Sequence, residues 1–321
     1  MFYKDKIVLL DEKDEIFLIR TKKNQLFLDH YHKEEDVRHR ILEEDCNKDF
    51  DVSYDYLGNM NIVYRNTENK LILNTLINKE SHSIVVEELH NNIYYLNLVA
   101  TDILNVFYVE ESDKKNLLYI VHLTIEGDKV VKNIVDTIVN YNLVMPIQIR
   151  HYRENLIVFY YFRNVICLKV LDCKKGLWEH PITLTDNRNK LYLDTKIIGD
   201  EIHLSYSIFK DDNFYINYEK FSIDDNYIVK KKEIKISSNG NHTNPLLIRY
   251  KSRIYIVWRE SNRILSTYSN DKGHTWTDIR EFNDVKKMDI VKYKYLTKGN
   301  IKNREIDYSY GSTDPIEFIG F

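Results

Sequence analysis

Apolar and polar residues alternate along this chain in short runs separated by polar turns, the period-two signature of half-buried β-strands. Several runs carry an apolar pair followed by an aromatic: "NIVYRN" at Tyr64, "NVFYVE" at Tyr108, "IVFYYF" at Tyr160, "HLSYSI" at Tyr206 and "YIVWRE" at Trp258. "IFLIRT", centred on Leu18, holds the same place near the N-terminus. The steps from 18 to 64, 108, 160, 206 and 258 are 46, 44, 52, 46 and 52 residues. Each unit resolves into four strand-like pieces. In the second they are "DFDVSYDYL", "MNIVYRN", "KLILNTLI" and "HSIVVEEL"; in the sixth, "NPLLIRYK", "RIYIVWRE", "RILSTYS" and "WTDIREF".

Four short strands per repeat of this length predict one propeller blade, whereas helical repeats would need a 3.6-residue apolar period. The expected fold is therefore an all-β propeller of four-stranded antiparallel blades. Six units cover residues 5 to 282, which sets residues 1–283 as the propeller. The remaining segment, 284–321, holds "MDIVKYKYL", "REIDYSYG" and "IEFIGF". Tyr308 lies 50 residues beyond Trp258, so this strand-rich tail reads as an appendage or as a partial seventh blade. Its "KYKY" and "DYSY" stretches are expected to be exposed and to offer a contact surface.

One stretch is specified beyond ordinary strand pattern. Residues 269–276, S-N-D-K-G-H-T-W, match S-x-D-x-G-x-T-W at Ser269, Asp271, Gly273, Thr275 and Trp276. This is the Asp-box or BNR repeat, and the chain resembles the sialidase-like propeller superfamily. The resemblance implies a turn between the third and fourth strands of a blade, on the face opposite the active site. The residue types suit that role. Ser and Asp side chains satisfy nearby backbone N–H groups, Gly supplies positive φ, and Trp offers an apolar face to wedge against the inner strands. Diluted copies stand at "SIDDNYIV" (Ser222, Asp224, Asn226), "DCKKGLW" (Asp172, Gly176, Trp178) and "TIEGD" at 124–128. An EF-hand calcium loop would need further acidic ligands and a closing Glu.

The same resemblance implies a ligand over the central funnel, an arginine triad for a carboxylate, a tyrosine nucleophile paired with a glutamate, and an acid/base aspartate. An R-I-P-type motif normally carries the first arginine. None of Pro146, Pro181, Pro245 or Pro315 follows an R-I pair. Arg65 and Arg259 directly follow the repeat aromatic, Arg20 is offset by one, and Glu110 and Glu260 stand close behind, so a polar rim is expected. The starts of the innermost strands carry Asp51, Tyr54, Tyr94, Gln148, Tyr192, Asp194 and Asn244. From these, Arg20, Arg65, Glu110, Tyr192, Asp194, Arg259 and Glu260 form the candidate ligand-binding set, and no catalytic residue is nominated.

Composition narrows the alternatives. The 321 residues include 25 Tyr and 13 Phe against 9 Gly and 4 Pro, which favours strands. A net charge of −3 gives no reason to expect nucleic acid or an anionic membrane. Three cysteines without C-x-x-C spacing argue against a disulfide framework or a structural zinc. His30 and His32 flank Tyr31 and could begin a two-ligand metal site, but no third ligand is evident, so neither metal nor cofactor is expected. Neither a signal peptide nor an apolar run of 18 residues is seen, so membrane insertion is not expected and a cytoplasmic location is the default. The functional expectation is a non-catalytic propeller that binds or scaffolds a protein or glycan partner through its funnel face. The alternative is a divergent sialidase-like glycoside hydrolase. The pattern leaves the oligomeric state open.

Overall fold

The computed structural model describes residues 7–12, 15–31, 37–77, 80–114, 116–139, 147–224, 227–282, 289–297 and 304–312. Every regular element among them is a β-strand, and no helix among the described residues is long and apolar enough to cross a membrane. The strands form six antiparallel blades, the all-β six-bladed propeller that the periodicity predicts. Three blades fall in each of two compact units, residues 1–139 with 292–301, and 140–291 with 302–321.

In the first unit, blade 1 is β1 (Ile7–Glu12), β2 (Glu15–Lys22), β3 (Gln25–Tyr31) and β4 (Arg38–Glu43). Blade 2 is β5 (Phe50–Tyr54), β6 (Met60–Arg65), β7 (Lys70–Ile77) and β8 (Glu80–Glu88). Blade 3 is β9 (Ile93–Ala100), β10 (Leu104–Glu111), β11 (Leu117–Glu126) and β12 (Lys129–Val139). In the second unit, blade 4 is β13 (Ile147–Tyr152), β14 (Asn155–Phe162), β15 (Val165–Asp172) and a split outer strand, β16 (Leu177–Trp178) and β17 (Ile182–Thr183). Blade 5 is β18 (Lys190–Ile198), β19 (Glu201–Lys210), β20 (Asn213–Asp224) and β21 (Tyr227–Lys235). Blade 6 is β22 (His242–Tyr250), β23 (Arg253–Glu260), β24 (Arg263–Ser269) and β25 (Arg280–Glu281). The last is shorter than the pattern from Trp276 predicts. Trp276 turns inward against Tyr218, and the Thr277 carbonyl accepts from the Thr267 hydroxyl at 2.6 Å, so regular pairing resumes only at Arg280.

With few glycines, the hairpins draw on other residues for positive φ. Lys23, Asn24, Asn116, Arg163, Asp211, Asp212 and Ser261 supply it between second and third strands, as twist-matched tight turns demand.

The repeat aromatics are the core. Tyr64, Tyr108, Tyr160, Tyr206 and Trp258 are each 3% exposed or less. Burying such rings removes large apolar areas from water, and their polar ends find partners. Tyr64 bonds Glu43, Tyr108 donates to Glu87 at 2.5 Å, Tyr206 donates to Glu219, and the Trp258 indole donates to His242 Nδ1 at 3.0 Å. Inner strands are joined by a second device, set opposite the residue before the repeat aromatic in blades 2, 4 and 5. Asp51 accepts the Leu98 N–H at 2.7 Å, Gln148 accepts that of Thr195 at 3.0 Å, and Asp194 accepts that of Leu247 at 2.7 Å.

Blades 3, 5 and 6 depart from regular pairing at one equivalent place. There, two inner-strand residues oppose the single repeat aromatic: Tyr95 and Leu96 face Tyr108, Tyr192 and Leu193 face Tyr206, and Asn244 and Pro245 face Trp258. The first residue of each pair has φ of 58°, 58° and 52°. These are β-bulges with the extra residue in the left-handed region.

The tail does not expose its tyrosines as expected. β26 (Val291–Thr297) pairs in parallel with β1, which buries Tyr293 and Tyr295 and brings Lys294 to 2.7 Å from Asp51. β27 (Arg304–Glu305) pairs with β22, and in β28 (Tyr308–Gly311) Tyr310 is buried and donates to the Asn244 carbonyl at 2.5 Å. Each edge bond and buried ring removes from solvent what the sequence pattern suggested was surface. The stretch "IEFIGF" lies outside the described residues.

Candidate functional site

The rim where inner strands begin and second strands end holds most of the sequence-derived candidates. In the first unit, Arg65 ends β6 and lies 2.7 Å from Asp49, just before β5; the Arg65 amide also donates to the Asp49 carbonyl. One blade on, the Tyr94 hydroxyl donates to Glu111 at 2.5 Å, and Asn92 donates to the other Glu111 oxygen at 2.9 Å. Burial and then the Glu111 bond push the Tyr94 phenol up to about 12, while Arg65 opposes the shift and Asp49 reinforces it. Glu111, Arg65 and Asp49 therefore all act on the Tyr94 phenol. Arg65, Tyr94 and Glu111 are half-buried and Asp49 is buried, so the cluster forms a held polar surface with an aromatic face.

Other candidates are placed separately. Arg20 lies 2.6 Å from buried Asp29, which also takes His39 at 2.7 Å. Glu110 pairs with Lys132 at 3.1 Å, which also bonds Glu87. In the second unit, Asp194 is buried between the Leu247 amide and Arg150, the latter at 3.3 Å. Arg150 also donates to Gln148, and Lys196 pairs with Asp307 at 2.7 Å. Arg259 donates to the Ser261 carbonyl at 2.5 Å, and Glu260 pairs with Arg263. Tyr192 is half-buried at its bulge, and burial raises its phenol. Each arginine named here except Arg259 therefore has a carboxylate of its own, and the rim offers oriented donors and acceptors with little uncompensated charge.

The Tyr–Glu pairs seen here work against nucleophilic chemistry. Burial, reinforced by Glu43, Glu87 and Glu219, drives the phenols of Tyr64, Tyr108 and Tyr206 far above the ordinary tyrosine range. Glu219 itself is raised by burial. Phenols so disposed keep their protons and serve as internal donors. His30 stacks on Phe17 with ring centroids 4.4 Å apart, and His32 lies outside the described residues. Among the described residues no group of three metal-ligating side chains converges.

Residues 269–276 build a closed turn between β24 and β25. Ser269 donates to Asp271 at 2.7 Å and accepts the Gly273 amide at 2.7 Å. Asp271 accepts the amides of His274 (3.0 Å) and Thr275 (2.8 Å) and the Thr275 hydroxyl (2.6 Å). Those donors, the Thr275 hydroxyl first, hold the Asp271 carboxyl well below the usual carboxylate range. Gly273 has φ +85°, and a Cβ there would lie 1.9 Å from the Tyr218 hydroxyl of blade 5. The turn thus locks blade 6 onto blade 5.

Sequence reasoning overlooked Asp49 and Glu111, the partners of Arg65 and Tyr94. Each stands just outside the repeat positions, and with 49 acidic residues the chain gives no signal that singles them out.

No protein-family model matches the chain, and no curated protein matches it. Among solved structures, the chain is similar to the GH93 α-L-arabinofuranosidase of Fusarium graminearum, with a TM-score of 0.50 and 10% identity over 83% of this chain and 93% of that one. It is also similar to the six-bladed β-propeller lectin of Aleuria aurantia (TM-score 0.48, 9% identity, 87% and 95% covered). A third is AofleA from Arthrobotrys oligospora (TM-score 0.48, 9% identity, 86% of each chain). At such identity the likeness is one of fold, and fold does not transfer activity.

Proposed function

We propose that this protein is a non-catalytic propeller that binds a neutral glycan at its rim, and that it is a distant member of the sialidase-like Asp-box group. The carrying observation is the half-buried Arg65–Asp49 and Tyr94–Glu111 cluster. A sugar offers hydroxyls to oriented donors and acceptors and an apolar ring face to an aromatic side chain. Because Asp49 already neutralises Arg65, a carboxylated sugar would gain little there and would face Asp49 and Glu111. The hydrogen bonding of residues 269–276 supports the group relationship. The hydrolase alternative draws no support from Tyr64, Tyr108 and Tyr206, which are buried proton-holding anchors, and the Tyr94 phenol at the rim is likewise pushed up, to about 12.

The test is a glycan array carrying neutral glycans and their sialylated counterparts, with fluorogenic glycosides assayed in parallel. Neutral glycans should bind, and Tyr94→Ala should weaken the best of them at least tenfold by calorimetry, about 1.4 kcal/mol. Preference for sialylated glycans, or turnover of any fluorogenic glycoside, would defeat this reading.

A further inference from the structure

The three bulges differ in the residue placed at the left-handed position. Blade 6 uses Asn244, and asparagine occupies that region readily because its short amide can bond locally. Blades 3 and 5 use Tyr95 and Tyr192. A bulky side chain is disfavoured there, and residues held in sparsely populated regions concentrate at functional sites. Something besides backbone geometry therefore keeps a tyrosine where asparagine serves in blade 6.

Core packing does not account for Tyr192. Leu193, the other bulge residue, is the buried member at 1% exposure, whereas Tyr192 is half-buried. Among the described residues its hydroxyl makes no hydrogen bond, and burial alone raises it. Lys190, two residues earlier, is held by Asp186 at 2.8 Å and by the Asn164 carbonyl at 3.4 Å. That contact sets the blade-4 hairpin, with partly exposed Phe162 at its start, beside the beginning of β18. Nearby cations are already paired: Arg188 with Asp186 and Glu233, and Arg150 with Asp194.

We infer that Tyr192 is a pre-set stacking platform for a neutral sugar ring, bordered by the Phe162 hairpin and distinct from the Arg65–Tyr94 cluster. The bulge fixes the direction of the Tyr192 Cα–Cβ bond before the ligand arrives, and a tyrosine has only two side-chain torsions to order on binding. Arg188, Lys190 and Arg150 are held by carboxylates, and Arg163 of the same hairpin lies over the Phe162 ring at 5.8 Å. The ligand class rests on the glycan reading above, whereas the positional argument for Tyr192 stands on backbone and burial alone.

Two measurements on Tyr192→Asn separate these parts. Asparagine suits the bulge, so the melting temperature should rise or stay within about 2 °C of wild type. Affinity for the best neutral array glycan should fall at least tenfold, while Tyr192→Phe, which keeps the ring, should stay within about threefold. A melting temperature lowered by more than about 6 °C would assign Tyr192 to the core and overturn the inference. Unchanged affinity in a well-folded Tyr192→Asn would overturn it as well. If wild type binds no neutral glycan, the functional reading and the ligand class fall together; the melting temperature still decides whether Tyr192 is held for packing.

Discussion

The turns at 269–276 and 172–178 start from similar residues and end in different mechanical roles. Both use an aspartate to gather backbone amides and a glycine at positive φ, and both carry a tryptophan. Asp172 accepts the amides of Lys174 and Lys175, each at 3.1 Å, and Gly176 has φ +67°. A Cβ on Gly176 would meet nothing within 4 Å, whereas one on Gly273 would strike Tyr218. Beneath Gly273, Tyr218 is fully buried, bonds His203 Nδ1 at 2.7 Å and meets Trp276 edge-on with centroids 4.9 Å apart. Buried Lys220 adds a bond to the Lys272 carbonyl at 3.0 Å and an ion pair with Glu201 at 2.9 Å. Turn chemistry alone shapes a hairpin. Docking onto a neighbouring blade makes it a clasp.

The sharpest way to break this comparison is to add one methyl group to each turn. Gly273→Ala combines an unfavourable φ with a clash against a ring that cannot swing away, and should cost roughly 3–5 kcal/mol in urea unfolding. Gly176→Ala meets only the φ penalty and should cost about 1 kcal/mol. Similar losses in both variants would mean that the contact with Tyr218 adds nothing.

Acid should probe the same clasp from beneath. Burial, then nearby Lys220 and Arg249, lowers His203 to about 3. The folded state therefore refuses a proton that the unfolded chain accepts below about 6.5. No penalty exists above that pH. Between about 6.5 and 3, stability should fall by about 1.4 kcal/mol per unit of pH on account of this residue. His122 in blade 3, lowered to about 4 by burial, adds a parallel loss over a shorter window. In His203→Gln the dependence of unfolding free energy on pH between 4.5 and 6.5 should flatten by about one proton. An unchanged slope would show that His203 is not held neutral by this site.

The blades were legible because each repeats a buried aromatic on its second strand, and burial leaves a strong imprint on residue type. The turn at 269–276 was legible because its geometry demands particular residues at particular steps. The clasp was not: Tyr218 and His203 look like ordinary alternating positions of a strand, and only the packing of two blades gives them a task. The bonding of the inner-strand candidates was hidden for the same reason. Asp51, Gln148 and Asp194 each accept an amide of the neighbouring inner strand, a task that no residue type announces. The bulges left no trace either, since a shift of one residue in pairing changes no composition.

The smallest effect separates turn chemistry from docking. Asp271→Ala removes the acceptor for two amides and two hydroxyls, while the Gly273 amide still bonds the Ser269 hydroxyl and holds the turn against Tyr218. The melting temperature should drop by several degrees, and affinity for any ligand of the Arg65–Tyr94 cluster should be unchanged, because the turn shares no hydrogen bond or ion pair with that cluster. Asp172→Ala removes two longer amide bonds and one exposed lysine contact, so its shift should be a fraction of that. Were the two aspartates to matter equally, the carboxylate cage would be the source of stability and the docked Tyr218 incidental. A larger loss at Asp271, coupled non-additively to Tyr218→Phe in a double-mutant cycle, would tie the cage to the clasp.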